Sequence, residues 1–177
     1  TDNPAGTFDV VVCDLVYVHR AAVWRLDLCS ETMEAQPEVI LPEIRGDAGR
    51  FPVTARLSPT GRYLAYAHRR RLAVVDLVDK ADRTVEAEIA GSASGATVAR
   101  VAWRRDGSQV AFLQITAWPK TVAHLIIADP AGRVVREVVV PSDGAYLGEP
   151  QWTPDGRWVF FATFPQGGRR IIAVETV

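Results

Sequence analysis

The sequence predicts an all-β fold assembled from four repeats of one four-stranded antiparallel unit, and three observations predict it. A segment recurs: residues 15–28, LVYVHRAAVWRLDL, match residues 64–77, LAYAHRRRLAVVDL, at six of fourteen positions without a gap. A turn motif recurs as LSPTG at 57–61, WRRDG at 103–107 and WTPDG at 152–156, its glycines 46 and 49 residues apart. Finally, 24 valines with 13 glycines and 11 prolines favour strands joined by tight turns.

Each turn motif leads into an alternating apolar run: Tyr63–His68, Gln109–Gln114 and Trp158–Thr163. A second run follows each one, at Leu72–Asp76, Leu125–Asp129 and Ile171–Glu175, and ends in an acid. Period-two alternation marks these as strands, and no long window holds a helical period. Innermost strands are expected near Thr54–Leu57, Val98–Trp103 and Leu147–Trp152. Outermost strands are expected at Glu38–Leu41, Thr84–Ile89 and Val134–Val140. Four strands in 46–49 residues make one blade of a β-propeller. The expected organisation is one domain over 1–177, with repeats at about 1–45, 50–92, 96–141 and 145–177.

The first repeat lacks the Pro-Asp-Gly turn, and at an offset of 49 Phe8 takes the place of Leu57. The fourth repeat reaches Val177 with no outer strand. A closed ring of four blades and an open segment of a larger propeller both fit these facts.

At 48% hydrophobic and 23% charged residues, the 177-residue chain has the composition of a folded domain, not of a disordered one. A net charge of −1 gives no basic field to attract nucleic acid. Its apolar runs are too short for a transmembrane helix.

With turn and strands in view, the chain resembles the TolB-type, WD-repeat-like propeller family. That repeat reads W-S-P-D-G, an apolar strand, then an apolar strand ending in Asp. Trp152–Gly156 matches the signature at four of five places, Trp103–Gly107 keeps Trp, Asp and Gly, and Leu57–Gly61 keeps Ser, Pro and Gly. The resemblance covers about 53–177 directly and 15–45 through the internal match. It implies blades and a periplasmic or extracellular location. It does not select a function, because such repeats serve envelope proteins, peptidase propeller domains and lactonase-like folds alike.

A hairpin centred on Ala21 would set Leu15 against Asp27 and Cys13 against Cys29. Directly opposed Cβ atoms lie close to the spacing that a disulfide needs. A Cys13–Cys29 bridge is therefore expected, with two buried free thiols as the alternative. A bridge would imply an oxidising compartment, and an N-terminal Thr without a charged leader fits a processed secreted protein or a chain expressed with its leader removed.

No catalytic motif emerges. In Gly91-Ser92-Ala93-Ser94-Gly95, alanine occupies the place where a nucleophile elbow needs serine. No phosphate-binding loop and no zinc spacing is present. The expectation is a non-enzyme without metal or cofactor. His19 and His68 share one repeat position, which points to structure. Asp27, Asp76, Asp129 and Glu175 are expected to accept hydrogen bonds from turn N–H groups, and Trp103 and Trp152 to pack sheet on sheet.

The informative residues are those that do not repeat. Loops between second and third strands, at Arg20–Ala22, Arg69–Arg71, Ile115–Ala123 and Phe164–Arg169, should share one face with the between-blade loops. Candidate binding residues there are Arg69, Arg70, Arg71, Trp118, Lys120, Tyr146, Phe164 and Arg169, of types enriched at interfaces. The expected function is a non-catalytic recognition or scaffold module of the bacterial cell envelope that binds a protein or peptide through this face. The alternative is a fragment of the propeller domain of a prolyl-oligopeptidase-type serine peptidase. A third reading is a propeller enzyme working in the central channel, where the innermost strands offer Arg56, Arg100 and Glu149 but no converging carboxylates or histidines. Nucleic acid is not expected as a partner; a further chain or self-association could complete the last blade edge.

Overall fold

The computed structural model describes residues 8–11, 14–19, 22–29, 36–41, 54–68, 71–85, 96–116, 122–141, 148–164 and 168–176. All regular structure among them is β, in four antiparallel sheets that follow one another along the chain. The first sheet holds β1 (Phe8–Val11), β2 (Asp14–His19), β3 (Ala22–Asp27) and β4 (Glu38–Leu41). The second holds β5 (Thr54–Leu57), β6 (Tyr63–His68), β7 (Arg71–Asp76) and β8 (Ala81–Val85). β9 (Ala96–Trp103), β10 (Val110–Thr116), β11 (Val122–Ala128) and β12 (Val134–Pro141) make the third. β13 (Gln151–Trp152), β14 (Trp158–Thr163) and β15 (Arg170–Glu175) make the fourth. Strand order equals chain order in every sheet. This architecture is consistent with a segment of a β-propeller.

The recurring turn is built the same way three times. The N–H groups of Gly61, Gly107 and Gly156 donate to the carbonyls of Ser58, Arg104 and Thr153 at 2.9, 2.9 and 2.8 Å. All three glycines have φ near +70°, a conformation that costs other residues a clash at Cβ. The hydroxyls of Ser58 and Thr153 accept the N–H of Tyr63 and Trp158, each at 3.0 Å. This explains the preference for Ser or Thr at that place. Neighbouring turns also nest. A Cβ on Gly107 would meet Thr60 Cγ2, and one on Gly156 would overlap the Arg104 guanidinium.

The core lies between sheets. Val16, Val23 and Ile40 of the first sheet pack on Leu57, Leu64, Tyr66 and Val75 of the second. The other face of the second sheet, with Ala65, Leu72 and Val74, packs on Val110, Phe112 and Ile126 of the third. Leu113, Leu125 and Ile127 then meet Val159 and Phe161 of the fourth. Both faces of a middle strand are thus apolar and buried, which is why Leu72–Val75 reads as an uninterrupted apolar run. The inner strands are neighbours in the series β1, β5, β9, β13, and among the described residues no comparable contact joins the fourth sheet to the first.

Four sequence expectations need correction. The first hairpin pairs Leu15 with Leu26 and His19 with Ala22, so its loop is the two residues 20–21 and not three. Cys29 is disulfide-bonded. Cys13 lies outside the described residues, and no free cysteine is found among them. In the first sheet Val10, not Phe8, faces Leu15. The counterpart pairs Leu57–Leu64, Trp103–Val110 and Trp152–Val159 each span seven residues, whereas Val10–Leu15 spans five. The connection between β1 and β2 is thus two residues shorter than its counterparts, so the offset of 49 does not extend to β1. The outer strand of the second sheet is Ala81–Val85, three residues earlier than expected at its start. It begins directly after the turn in which Lys80 adopts φ 54°. β13 is only Gln151–Trp152, where an inner strand near Leu147–Trp152 was expected; among the described residues the fourth sheet has three strands, in keeping with the missing outer strand of the fourth repeat.

Candidate functional site

The indoles that pack the sheets also bond them. Trp103 Nε1 donates to the Arg56 carbonyl at 2.9 Å, and Trp152 Nε1 donates to the Ala102 carbonyl at 3.0 Å. Each tryptophan ends an inner strand and reaches the residue one place earlier on the preceding inner strand. The ends of β5, β9 and β13 are thereby held in a fixed order.

These strand ends enclose a cleft of about 450 Å³ lined by Arg56, Trp103, Arg105, Glu149, Pro150, Gln151, Trp152 and Pro154, among others. Arg56 comes from β5 and Glu149 from the segment before β13, yet Arg56 Nη2 stands 3.3 Å from Glu149 Oε1. The pair joins the second sheet to the segment that precedes the fourth. Arg105 and Pro154 also line an adjoining depression of about 350 Å³ with Arg104, Asp106 and Asp155. The carboxyls of Asp106 and Asp155 are held below the usual range. Ser108 does this for Asp106 through its hydroxyl and N–H, and for Asp155 the Thr153 hydroxyl and the Arg157 N–H do so. The cleft therefore presents charges of both signs beside proline and tryptophan walls. That suits a polar, extended ligand with an apolar part.

Around the sheets, Asp27, Asp76 and Asp129 accept turn N–H groups as their position suggests, whereas Glu175 meets the Arg157 guanidinium. The Asp76 carboxylate is 1% exposed, accepts the N–H groups of Val78 and Asp79 at 3.0 and 3.3 Å, and pairs with Arg62 Nη2 at 2.9 Å. Burial alone would push its pKa up, but the Arg62 hydrogen bond, the two N–H donors and the Arg62 charge outweigh this and hold it down. Asp27 accepts the Cys29 N–H at 2.9 Å and Asp129 that of Arg133 at 3.0 Å. Glu175 pairs with Arg157 at 2.8 Å. Arg62 and Arg157 each follow the turn glycine, a spacing legible in the sequence.

The expected loop face is described only in part. Arg69, Arg70, Trp118, Lys120 and Tyr146 lie outside the described residues. Arg71 is the first residue of β7, opposite His68, because the hairpin closes over residues 69–70 alone. It is a strand residue and not a loop one. Phe164 and Arg169 come together across their loop, with the guanidinium 5.5 Å from the ring centroid. Arg56 and Glu149 were legible as inner-strand residues, but their convergence was not, and Arg105 and Gln151 had no distinguishing signal.

No family model matches the chain, and no curated protein does. Among solved structures, it is similar to Porphyromonas gingivalis dipeptidyl peptidase 4, with a TM-score of 0.62 at 13% identity. The likeness covers 98% of this chain and 29% of that one, so this chain spans less than a third of that protein's length. At this identity the likeness concerns the fold alone.

Proposed function

We propose that the chain is a segment of a β-propeller that acts as a non-catalytic recognition scaffold for a peptide or protein. The observation that carries this reading is the cleft around Arg56, Arg105 and Glu149, set between inner strands that two indole hydrogen bonds lock together. A rigid site loses little conformational entropy on binding. The loop face that includes Phe164 and Arg169, with Trp118, Lys120, Arg69, Arg70 and Tyr146, is its second contact surface. The TolB-type resemblance supports an envelope setting, and a Cys13–Cys29 bridge belongs to the same reading. Titration of denatured, unreduced protein should then find no free thiol.

A second reading makes the segment part of the propeller of a peptidase of the prolyl-oligopeptidase type. The similarity to dipeptidyl peptidase 4 over 98% of the chain favours it.

The experiment is a peptide-display selection on the wild-type protein, followed by affinity measurements on two double variants. Arg56→Ala with Glu149→Ala tests the cleft, and Phe164→Ala with Arg169→Ala tests the loop face. Loss of binding by at least tenfold in one pair supports recognition at that surface. Unchanged binding in both folded variants removes both surfaces from the proposal.

A further inference from the structure

The two joints that carry an indole bond define a further one that has no partner among the described residues. In strand register, Leu72, Leu125 and Ile171 occupy one repeated position, opposite Ala67, Leu113 and Ala162. Leu72 and Leu125 are 0% exposed because the next sheet covers them, whereas Ile171 is 78% exposed. The same holds for Ala65, Ala111 and Phe160, where the first two are 0% exposed and Phe160 is 37% exposed. Ala173 is exposed, although Val74 and Ile127 at its position are buried. The carbonyls that receive an indole belong to Arg56 and Ala102, and the residue at that place in the fourth sheet is Gln151.

We propose that the outward face of the fourth sheet, formed by Phe160, Ala162, Ile171 and Ala173, is a docking surface for a further antiparallel sheet of the same construction. The innermost strand of that sheet carries a tryptophan whose indole N–H donates to the Gln151 carbonyl. This inference rests on the propeller-segment reading. The occupant is argued from continuity with the two existing joints, both of which use a tryptophan. The first sheet of a second copy offers Val10 at that place and has no indole to give.

The test uses Ile171→Cys as a maleimide probe, with Val78→Cys as an exposed control, since Val78 is 70% exposed. Each is made in the 177-residue chain and in a chain extended after Val177 by a second copy of residues 132–177. That extension supplies an outer strand for β15 and an inner strand with a second Trp152. Labelling at 171 should slow at least tenfold in the extended chain, and by less when the second Trp152 is replaced by Phe. The control should not change. Equal labelling at 171 in both chains, with the extended chain folded, overturns the proposal. So does slowing in the 177-residue chain that grows with protein concentration, because the occupant is then a second copy. Peptide affinity at the cleft is read separately, so failure here leaves the recognition reading to its own experiment.

Discussion

Arg56 Nη2 lies 3.3 Å from Glu149 Oε1, and the pair joins the second sheet to the segment that precedes the fourth. Its side chains are 32% and 51% exposed, so water screens the attraction. A double-mutant cycle on Arg56→Ala and Glu149→Ala, read by urea unfolding, should give a coupling of about 0.2–1 kcal/mol. The coupling should shrink as salt rises. A coupling above that range at high salt would show that the pair is shielded from water.

Asp76 makes acid stability testable. Its folded pKa lies below its ordinary value, so its contribution is fully present above the unfolded carboxylate range. As pH falls, the unfolded chain takes up the proton first, and the contribution disappears as pH passes through the lowered folded pKa. Asp76→Asn should cost about 1–3 kcal/mol at neutral pH, because the N–H donors of Val78 and Asp79 lose a charged acceptor. The variant should match wild type more closely in acid. Urea midpoints between pH 7 and pH 3 give the comparison.

The indole bonds predict a loss that packing alone does not. Trp152→Phe keeps an aromatic ring but leaves the Ala102 carbonyl without its 3.0 Å donor. The expected cost is about 1–3 kcal/mol in chemical unfolding, and similar for Trp103→Phe. Leu57→Phe, at the equivalent place without an indole bond, should not show this hydrogen-bond cost. Equal costs at all three positions would mean that volume and not the bond decides.

Gly156→Ala should be among the more damaging single-methyl changes. Its φ is +68°, and the added carbon would overlap Arg104. A left-handed non-glycine residue costs about 1–3 kcal/mol before any clash. Gly107→Ala meets only Thr60 at 3.2 Å and should cost less. Thermal melts of the two variants give the order.

How much was legible follows from the range of the interactions. The turns at Ser58–Gly61, Arg104–Gly107 and Thr153–Gly156 are local, and local chemistry marks them in sequence. Third strands ending in acid were equally clear, since Asp76 serves the turn that follows it. The first hairpin was misplaced by half a residue pair because a single residue of loop length decides register. Val10 replaced Phe8 because a shortened turn leaves no trace in an offset taken from later strands. The meeting of Arg56 with Glu149 depends on how successive sheets rotate about the inner strands, and no local pattern encodes that.

The contact pattern has a consequence for how the molecule comes apart. Each sheet packs on its chain neighbours, so stability behaves as a row of linked units with nearest-neighbour couplings. Two of the three couplings include an indole hydrogen bond, while the one between the first and second sheets has Leu57 at that place. Unzipping should therefore start at the first sheet, with the central sheets opening last. Amide exchange should show this as a gradient of protection along the chain, slowest in β10 and β11, with no single cooperative event.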